Sequence, residues 1–354
     1  MSTINITVER IMAIDVHQSA DKLEIAKVLG TQTIVPKGQY KVGDLVYFFP
    51  PDILLPEKVS KELGVYQYLH SATLDGAKVS CRVAATRLRG VPSYGFVIPC
   101  TANYPIGYDA TDIFEGRKYE PVSVSTQGEQ VAEPPGFPRY TDIQHYYRYS
   151  DALETGTHVT ISEKTHGTNC RVGVIRLNEE WTYVAGSHRT VRKRIDSLGR
   201  ESLYWKPLED AHVLELLAHL CNEENNIVVY AELYGPGIQD MTYGVPVGSI
   251  HFRVFDIMIN GVYQNWTDVR NWCELFEVPL VAELYSGPFS PDLVEQYTNG
   301  PTTAADGDLE CRFKGREGCV IKPLRESYDS CLGRVILKSV SADYLARKGG
   351  TDAA

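Results

Sequence analysis

Along the first 100 residues, short apolar or β-branched runs alternate with turn residues. Leu23 to Val28, Thr31 to Val35 and Leu45 to Phe49 are such runs, and Lys37-Gly38 and Gly43-Asp44 punctuate them. A further run, Gly95-Phe96-Val97-Ile98, ends at Pro99. Several short strands at this spacing predict a small closed or partly open β-barrel. Arg87 and Arg89 flank Leu88, and strand alternation sets both arginines on one face, as a phosphate-facing edge or a wet sheet face.

From about residue 101 to 150 the pattern loses its period. Tyr119-Glu120-Pro121, the polar run from Ser123 to Gln130 and Pro134-Pro135-Gly136-Phe137-Pro138 read as an extended linker with little room for a helix. The expected organisation is a first domain over 1–105, a linker over 106–136 and a second domain over 137–354. That second part mixes strands and helices. Ala211, Leu214, Leu217, Ala218 and Cys221 fall at helical spacing after Pro207. A strand follows over Ile227 to Tyr234, then another over Ile250 to Ile259, closed by the hairpin dipeptide Asn260-Gly261. Two more strands are expected over Cys319 to Lys322 and Val335 to Val340. There are no internal repeats, and strands dominate, so the fold class is α+β, rich in antiparallel sheet.

Bulk composition narrows the class. Hydrophobic residues make up 43% and charged ones 23% of 354 residues, as in ordinary globular domains. No uninterrupted apolar stretch is long enough to span a bilayer, and the N-terminus lacks a signal-peptide layout, so no membrane contact is expected. The eight cysteines contain no Cys-x-x-Cys pair, which argues against a metal framework or disulfide scaffold and for a reducing, cytoplasmic setting. A net charge of −10 argues against coating nucleic acid by bulk electrostatics, though not against local recognition. Basic residues do cluster at His188-Arg189-Thr190-Val191-Arg192-Lys193-Arg194, and again at Arg312, Lys314 and Arg316. A solvated face is the simplest reading of each cluster.

The candidate chemistry centres on Ser162-Glu163-Lys164-Thr165-His166-Gly167-Thr168-Asn169, a turn between Val159-Thr160-Ile161 and the strand-like run from Cys170 to Ile175. Glycine there lets backbone approach a ligand closely. A nucleophilic lysine must be neutral, and attack on a nucleoside triphosphate needs further lysines, metal-holding carboxylates and an apolar slot for the base. Downstream residues supply each in order. Glu232 lies mid-strand and shares a face with Val228, Tyr230 and Tyr234, opposite Ile227, Val229 and Leu233. Phe255 is expected on the face of Arg253 and Ile257. Val320 and Lys322 share a face, which Glu317 joins only if Gly318 breaks the strand. Lys338 stands between Ile336 and Val340, either reaching outward or holding an anion.

In this order the stretches resemble the covalent nucleotidyltransferase superfamily of polynucleotide ligases and mRNA capping enzymes. Lys164-Thr165-His166-Gly167 matches the lysine motif in its His variant, and Arg189 the partner arginine. Ala231-Glu232-Leu233-Tyr234-Gly235, Arg253-Val254-Phe255-Asp256-Ile257, Glu317-Gly318-Cys319-Val320-Ile321-Lys322-Pro323 and Leu337-Lys338 match the later motifs. The nearest likeness is to phage-type RNA ligase 2 enzymes, through Glu163-Lys164-x-His166-Gly167-x-Asn169, Tyr234-Gly235-Pro236-Gly237-Ile238-Gln239 and Val320-Ile321-Lys322-Pro323. Residues Ala20 to Glu24, Lys37-Gly38, Val42-Gly43-Asp44 and Arg87-Leu88-Arg89-Gly90-Val91 resemble the N-terminal OB-type domain of one RNA ligase branch. The resemblance implies an OB-type barrel followed by an antiparallel-sheet adenylation domain. Only 16 residues follow Lys338, so no C-terminal OB domain is expected.

The resemblance also implies roles. Lys164 carries the adenylate, with Lys322 and Lys338 on the α-phosphate. Glu163 contacts the adenine edge, Phe255 and Val320 sandwich the base, and Arg189 holds ribose or phosphate. Gly167 and Glu232 belong to the ATP site, and Glu232 and Glu317 hold Mg²⁺ or Mn²⁺. Asn169, Arg192, Lys193, Arg87 and Arg89 contact nucleic acid. Two positions depart from the pattern: many relatives carry Asp where this chain has His166, and Val340 replaces a second lysine. The implied activity is an ATP-dependent RNA ligase that seals 3′-OH/5′-phosphate ends through lysyl-AMP, with no obligate protein partner. The expected substrate is a nicked duplex with RNA on the 3′-OH side. Two other readings stand beside it: a nick-sealing ligase that prefers DNA on one side, and a non-catalytic RNA-binding protein.

Overall fold

The computed structural model describes residues 3–74, 77–120, 128–222, 225–304 and 313–347. By its contacts the chain forms two units. The first comprises Met1–Ser123, Gln144–Ser150 and Ser339–Ala354, and the second Val124–Ile143 and Asp151–Lys338. The sequence suggests contiguous segments, 1–105, 106–136 and 137–354, whereas the contacts interleave them. Composition marks where the chain is irregular but not where a later segment returns to an earlier core.

In the first unit, Phe96–Pro99, Leu45–Phe49, Thr7–Val16, Leu23–Val28 and Thr31–Pro36 form one antiparallel sheet in that order. The run Leu45–Phe49 is apolar throughout because it buries both faces. Tyr47 and Phe49 pack with Ile6, Val8 and Ile53 on one side, and Val46 and Phe48 with Ile11, Val28 and Val97 on the other. The expected linker begins in ordered structure: Arg117–Lys118 pairs with Ile53–Leu54. Arg87 and Arg89 do not share a strand face. The hairpin strand Thr86–Leu88 ends before Arg89, whose φ of 50° and Gly90's of 86° make the turn. Arg87 is ion-paired with Asp343.

The second unit holds the candidate chemistry. Its seven-stranded antiparallel sheet runs Gln130–Val131, Val191–Arg192, Glu180–Ser187, Thr168–Leu177, Ile227–Tyr234, His251–Ile259, Val262–Tyr263. The Asn260-Gly261 turn closes the last pair with left-handed φ of 50° and 79°, as a two-residue hairpin requires. One face of this sheet packs against the helices Ala211–Leu220 and Trp266–Leu275 through Val172, Val229, Leu233, Val254 and Ile257. The first helix buries Val213, Leu216, Leu217 and Leu220, not the row Ala211, Leu214, Ala218. Both rows satisfy a 3.6-residue period, and the row with the larger side chains removes more apolar surface from water. The other sheet face packs Val228, Tyr230, Met258, Phe137, Tyr140 and Ile336.

In a second sheet, Gly318–Pro323 lies between Leu337–Val340 and His158–Glu163, with Glu283–Pro288 beyond. Phe255 is bulged out of the pairing with Ile227–Tyr234, between Val254 opposite Ala231 and Asp256 opposite Tyr230. The bulge resets the alternation, so Val254 and Ile257 face the helices while Phe255 touches both cores. Phe255 therefore does not share a face with Ile257. Among the described residues no helix is long and apolar enough to cross a membrane.

Candidate active site

Two strand ends meet at the lysine turn. His158–Glu163 leads into it and Thr168–Leu177 leaves it, one in each sheet of the second unit. The amide of Lys164 donates to the Gly318 carbonyl at 3.0 Å, and Asn169 stands opposite Glu232 on the neighbouring strand. Gly167 makes that approach possible. A Cβ there would lie 2.1 Å from the Leu233 carbonyl oxygen and 3.0 Å from Glu232 Cγ. Gly167→Ala must therefore displace the turn, and a displacement of about 1 Å at a reacting group costs on the order of 100-fold in rate. If Lys164 takes a nucleotide, as the sequence leads one to expect, the rate of that attachment is the measurement, and an unchanged rate would refute this reading of Gly167.

The Lys164 ammonium is ion-paired with Glu317 Oε1. Glu317 is buried yet held below the ordinary carboxylate range: burial pushes its carboxyl up, and the charge of Lys164 and the neighbouring His166 outweigh it. Its second oxygen, Oε2, lies 3.3 Å from His166 Nδ1, and among the described residues neither it nor the buried Asn169 Oδ1 has an aligned hydrogen-bond donor. Burial pushes the Glu232 carboxyl up to about 8, with Lys164 opposing and Glu317 adding to the shift. His166 is itself buried. Its Nε2 lies 3.0 Å from Asp240 Oδ1, and its backbone amide donates to the Tyr243 hydroxyl at 2.6 Å.

The raised Glu232 value has a consequence for stability. Between the ordinary value of 4.5 and about 8, the folded chain holds a proton that the unfolded chain has released. Without a divalent cation, this contribution is full below the unfolded value and declines as pH rises through the folded one. Glu232→Gln removes that slope. Unfolding midpoints of both proteins in chelator, from about pH 5 to about pH 9, check it; parallel curves would count against it.

Other expected site residues are placed differently. Glu163 lies opposite Cys319 in the second sheet, away from Val320, and its carboxylate accepts from Thr302 Oγ1 and from the Thr303 amide and hydroxyl. It anchors that loop. Lys322 is buried with its Nζ 3.1 Å from Asp256, 3.3 Å from the Phe255 carbonyl and 4.7 Å from the centre of the Trp266 ring. That places its ammonium in a buried charge cluster. Arg334 and Tyr140 complete the cluster on Asp256, both at 2.7 Å.

Phe255 and Val320 are both half-buried against the same apolar cluster. Lys338 is buried on its strand and Arg189 is exposed. Arg192 is buried, its guanidinium donating to the Gly128 carbonyl at 2.7 Å, so it presents no free charge to nucleic acid. Lys193 is exposed and paired with Glu129. Arg312 lies outside the described residues. Asp240 and Tyr243 were not singled out by the sequence, and their only signal is proximity to the Tyr234 to Gln239 stretch.

A divalent cation suits the donors here. Among the described residues Glu317 Oε2 and Asn169 Oδ1 are buried acceptors without an aligned donor, and Glu232 is a half-buried carboxyl whose ionised form a cation favours. Among the described residues no group of three or more His, Cys, Asp or Glu forms a ready cage.

A family model described as RNA ligase matches residues 157–340, more than half of the chain, and an OB-fold domain model matches residues 5–100. No curated protein sequence matches. Solved structures of Naegleria gruberi RNA ligase are similar throughout. The form with PPi is 21% identical over 97% of this chain and 98% of that chain, with a TM-score of 0.73. A mutant with ATP and Mn covers 98% and 99% at 21% identity and TM-score 0.74, and another with AMP and Mn covers 99% and 100% at 21% and 0.76. At that identity the likeness concerns the fold, an α+β chain with an N-terminal OB-fold domain.

Proposed function

The chain belongs to the RNA ligase family, and from that premise we propose that it joins RNA 3′-OH and 5′-phosphate ends in an ATP-dependent, three-step reaction through Lys164. The observation that carries this reading is the ion pair of Lys164 with buried Glu317, beside Glu232 and His166. In the first step the neutral Lys164 amine attacks the α-phosphorus of ATP. An N–P bond forms, the bond to the bridging oxygen breaks, and pyrophosphate leaves. A 5′-phosphate oxygen of the RNA then displaces Lys164 from that phosphorus. Finally a 3′-hydroxyl attacks the 5′-phosphorus, loses its proton and releases AMP.

Phe255 and Val320 flank the adenine in this reading, and Arg189 reaches the sugar or phosphate from its exposed turn. Lys338 faces the α-phosphate, the Lys322 ammonium being committed to Asp256. Asn169 meets the RNA 5′-phosphate. Glu232 and Glu317 would hold a divalent cation, which would supply positive charge at the triphosphate.

Incubation with ATP and Mg²⁺ or Mn²⁺ should give a protein heavier by one AMP, and a wild-type protein that never takes the label would falsify the proposal. A panel of nicked duplexes with RNA or DNA on each side of the break then reads the substrate. We expect sealing to require RNA at the 3′-OH side, because a 2′-hydroxyl is the group that distinguishes the strands. Equal sealing of all-DNA nicks would overturn the requirement for RNA and make the enzyme tolerant of either sugar.

A further inference from the structure

The residues from Gly235 to Tyr243 form a loop that grips the lysine turn at two points. Gly235 and Gly237 hold left-handed φ of 134° and 89°, and Tyr243, fully buried, holds 53°. A non-glycine residue in that region is strained, and packing against Tyr234 at 5.3 Å helps to hold it there. One grip is the Tyr243 hydroxyl on the His166 amide, at 2.6 Å. The other is Asp240 Oδ1 on the His166 ring, at 3.0 Å. The opposite ring nitrogen, Nδ1, lies 3.3 Å from Glu317 Oε2, and Glu317 Oε1 holds the Lys164 ammonium. Four side chains thus stand in file, Asp240, His166, Glu317 and Lys164, from an exposed loop to the candidate nucleophile.

We propose that Asp240 is a positioning residue for nucleotide attachment to Lys164, acting through His166. An imidazole has two ring nitrogens on opposite edges, and fixing one fixes the direction of the other. With Nε2 held by Asp240, Nδ1 stays turned toward Glu317, and the Glu317 carboxylate keeps the orientation that serves Lys164. Without Asp240 the ring loses the partner on its Nε2 edge, and Nδ1 is held less firmly toward Glu317. Asp240 is 58% exposed on its side chain, and the path from it to Lys164 runs through the His166 ring and Glu317. The inference rests on the ligase reading of the Lys164 site, and it adds to that reading a residue outside the motifs.

The experiment is single-turnover formation of the AMP adduct across a range of ATP concentrations. Wild type is compared with Asp240→Asn, Asp240→Ala, His166→Ala and the Asp240→Ala/His166→Ala double variant. Orienting partners of this kind are worth about 10- to 100-fold. Asp240→Ala is expected to lower the limiting rate by about that factor, with the ATP concentration at half-maximal rate unchanged. Asp240→Asn, which keeps an oxygen acceptor at the same reach, should recover most of the rate. The double variant should be no slower than His166→Ala alone, because a residue acting through another adds nothing once that other is gone. An Asp240→Ala rate equal to wild type overturns the proposal. So do losses that multiply in the double variant, or a change confined to the half-maximal ATP concentration. These outcomes leave the ligase reading intact, whereas a wild-type protein that takes no AMP overturns that reading itself.

Discussion

Lys164→Ala should abolish the AMP adduct and all strand joining, a fall of at least about a thousand-fold. The side chain is the nucleophile in the proposed first step, and no other described lysine stands on Glu317. Lys164→Arg should fail equally, because a guanidinium stays protonated and keeps no lone pair for attack. Neither change should unfold the chain, since the lysine packs no core and its amide bond to Gly318 remains. Intact mass after incubation with ATP and Mg²⁺ reads the adduct, and thermal unfolding reads the fold. An adduct that persists in Lys164→Ala places the nucleophile elsewhere and removes the basis of the mechanism.

Asp256→Ala should produce the largest loss of stability, about 3–5 kcal/mol, the usual cost of taking one partner from a buried ion pair. Asp256 is fully buried and accepts from Tyr140, Arg334 and Lys322 at 2.7, 2.7 and 3.1 Å. Burial pushes its carboxyl up, but the charges of Lys322 and Arg334 outweigh that and hold it below the ordinary carboxylate value of 3.8. Truncation leaves two buried cations with less than their counter-charge, although Arg334 retains Glu326 at 2.6 Å. Because the folded value is depressed, this contribution is present above pH 3.8 and is lost as pH falls through the lower, folded value. Denaturant unfolding at neutral and acidic pH measures both effects. A loss under about 1 kcal/mol would show that the cluster is no better than an exposed pair. In the proposed reading Phe255 flanks the adenine, and its backbone touches this cluster through Lys322, so ATP binding should weaken along with stability.

Much of the fold is legible from short stretches. Leu23–Val28 and Leu45–Phe49 are strands with the bounds that their apolar runs suggest, and Asn260-Gly261 makes its hairpin. Glu232 shares a face with Val228 and Tyr230, opposite Val229 and Leu233, as period-two alternation implies. Alternation fails where a strand departs from regularity. The bulge at Phe255 separates it from Ile257, and the turn at Arg89-Gly90 removes Arg89 from the face of Arg87. Side-chain commitments are harder still. Arg192, Lys322 and Glu163 are motif-adjacent charges that the fold spends on Gly128, Asp256 and the Thr302-Thr303 pair.

The lysine turn shows the same division in one place. Its parts are readable in sequence: a strand-end lysine, a glycine in the turn, and carboxylates far downstream in a fixed order. The work of His166 is not, because its partners Asp240 and Glu317 lie 74 and 151 residues away and nothing local in either stretch points back to it. Backbone period and turn chemistry are set by neighbours within a few residues, so sequence alone determines strands, turns and the motif order. Which buried charge meets which depends on chain segments that desolvate each other only after folding, and that pairing the tertiary structure decided.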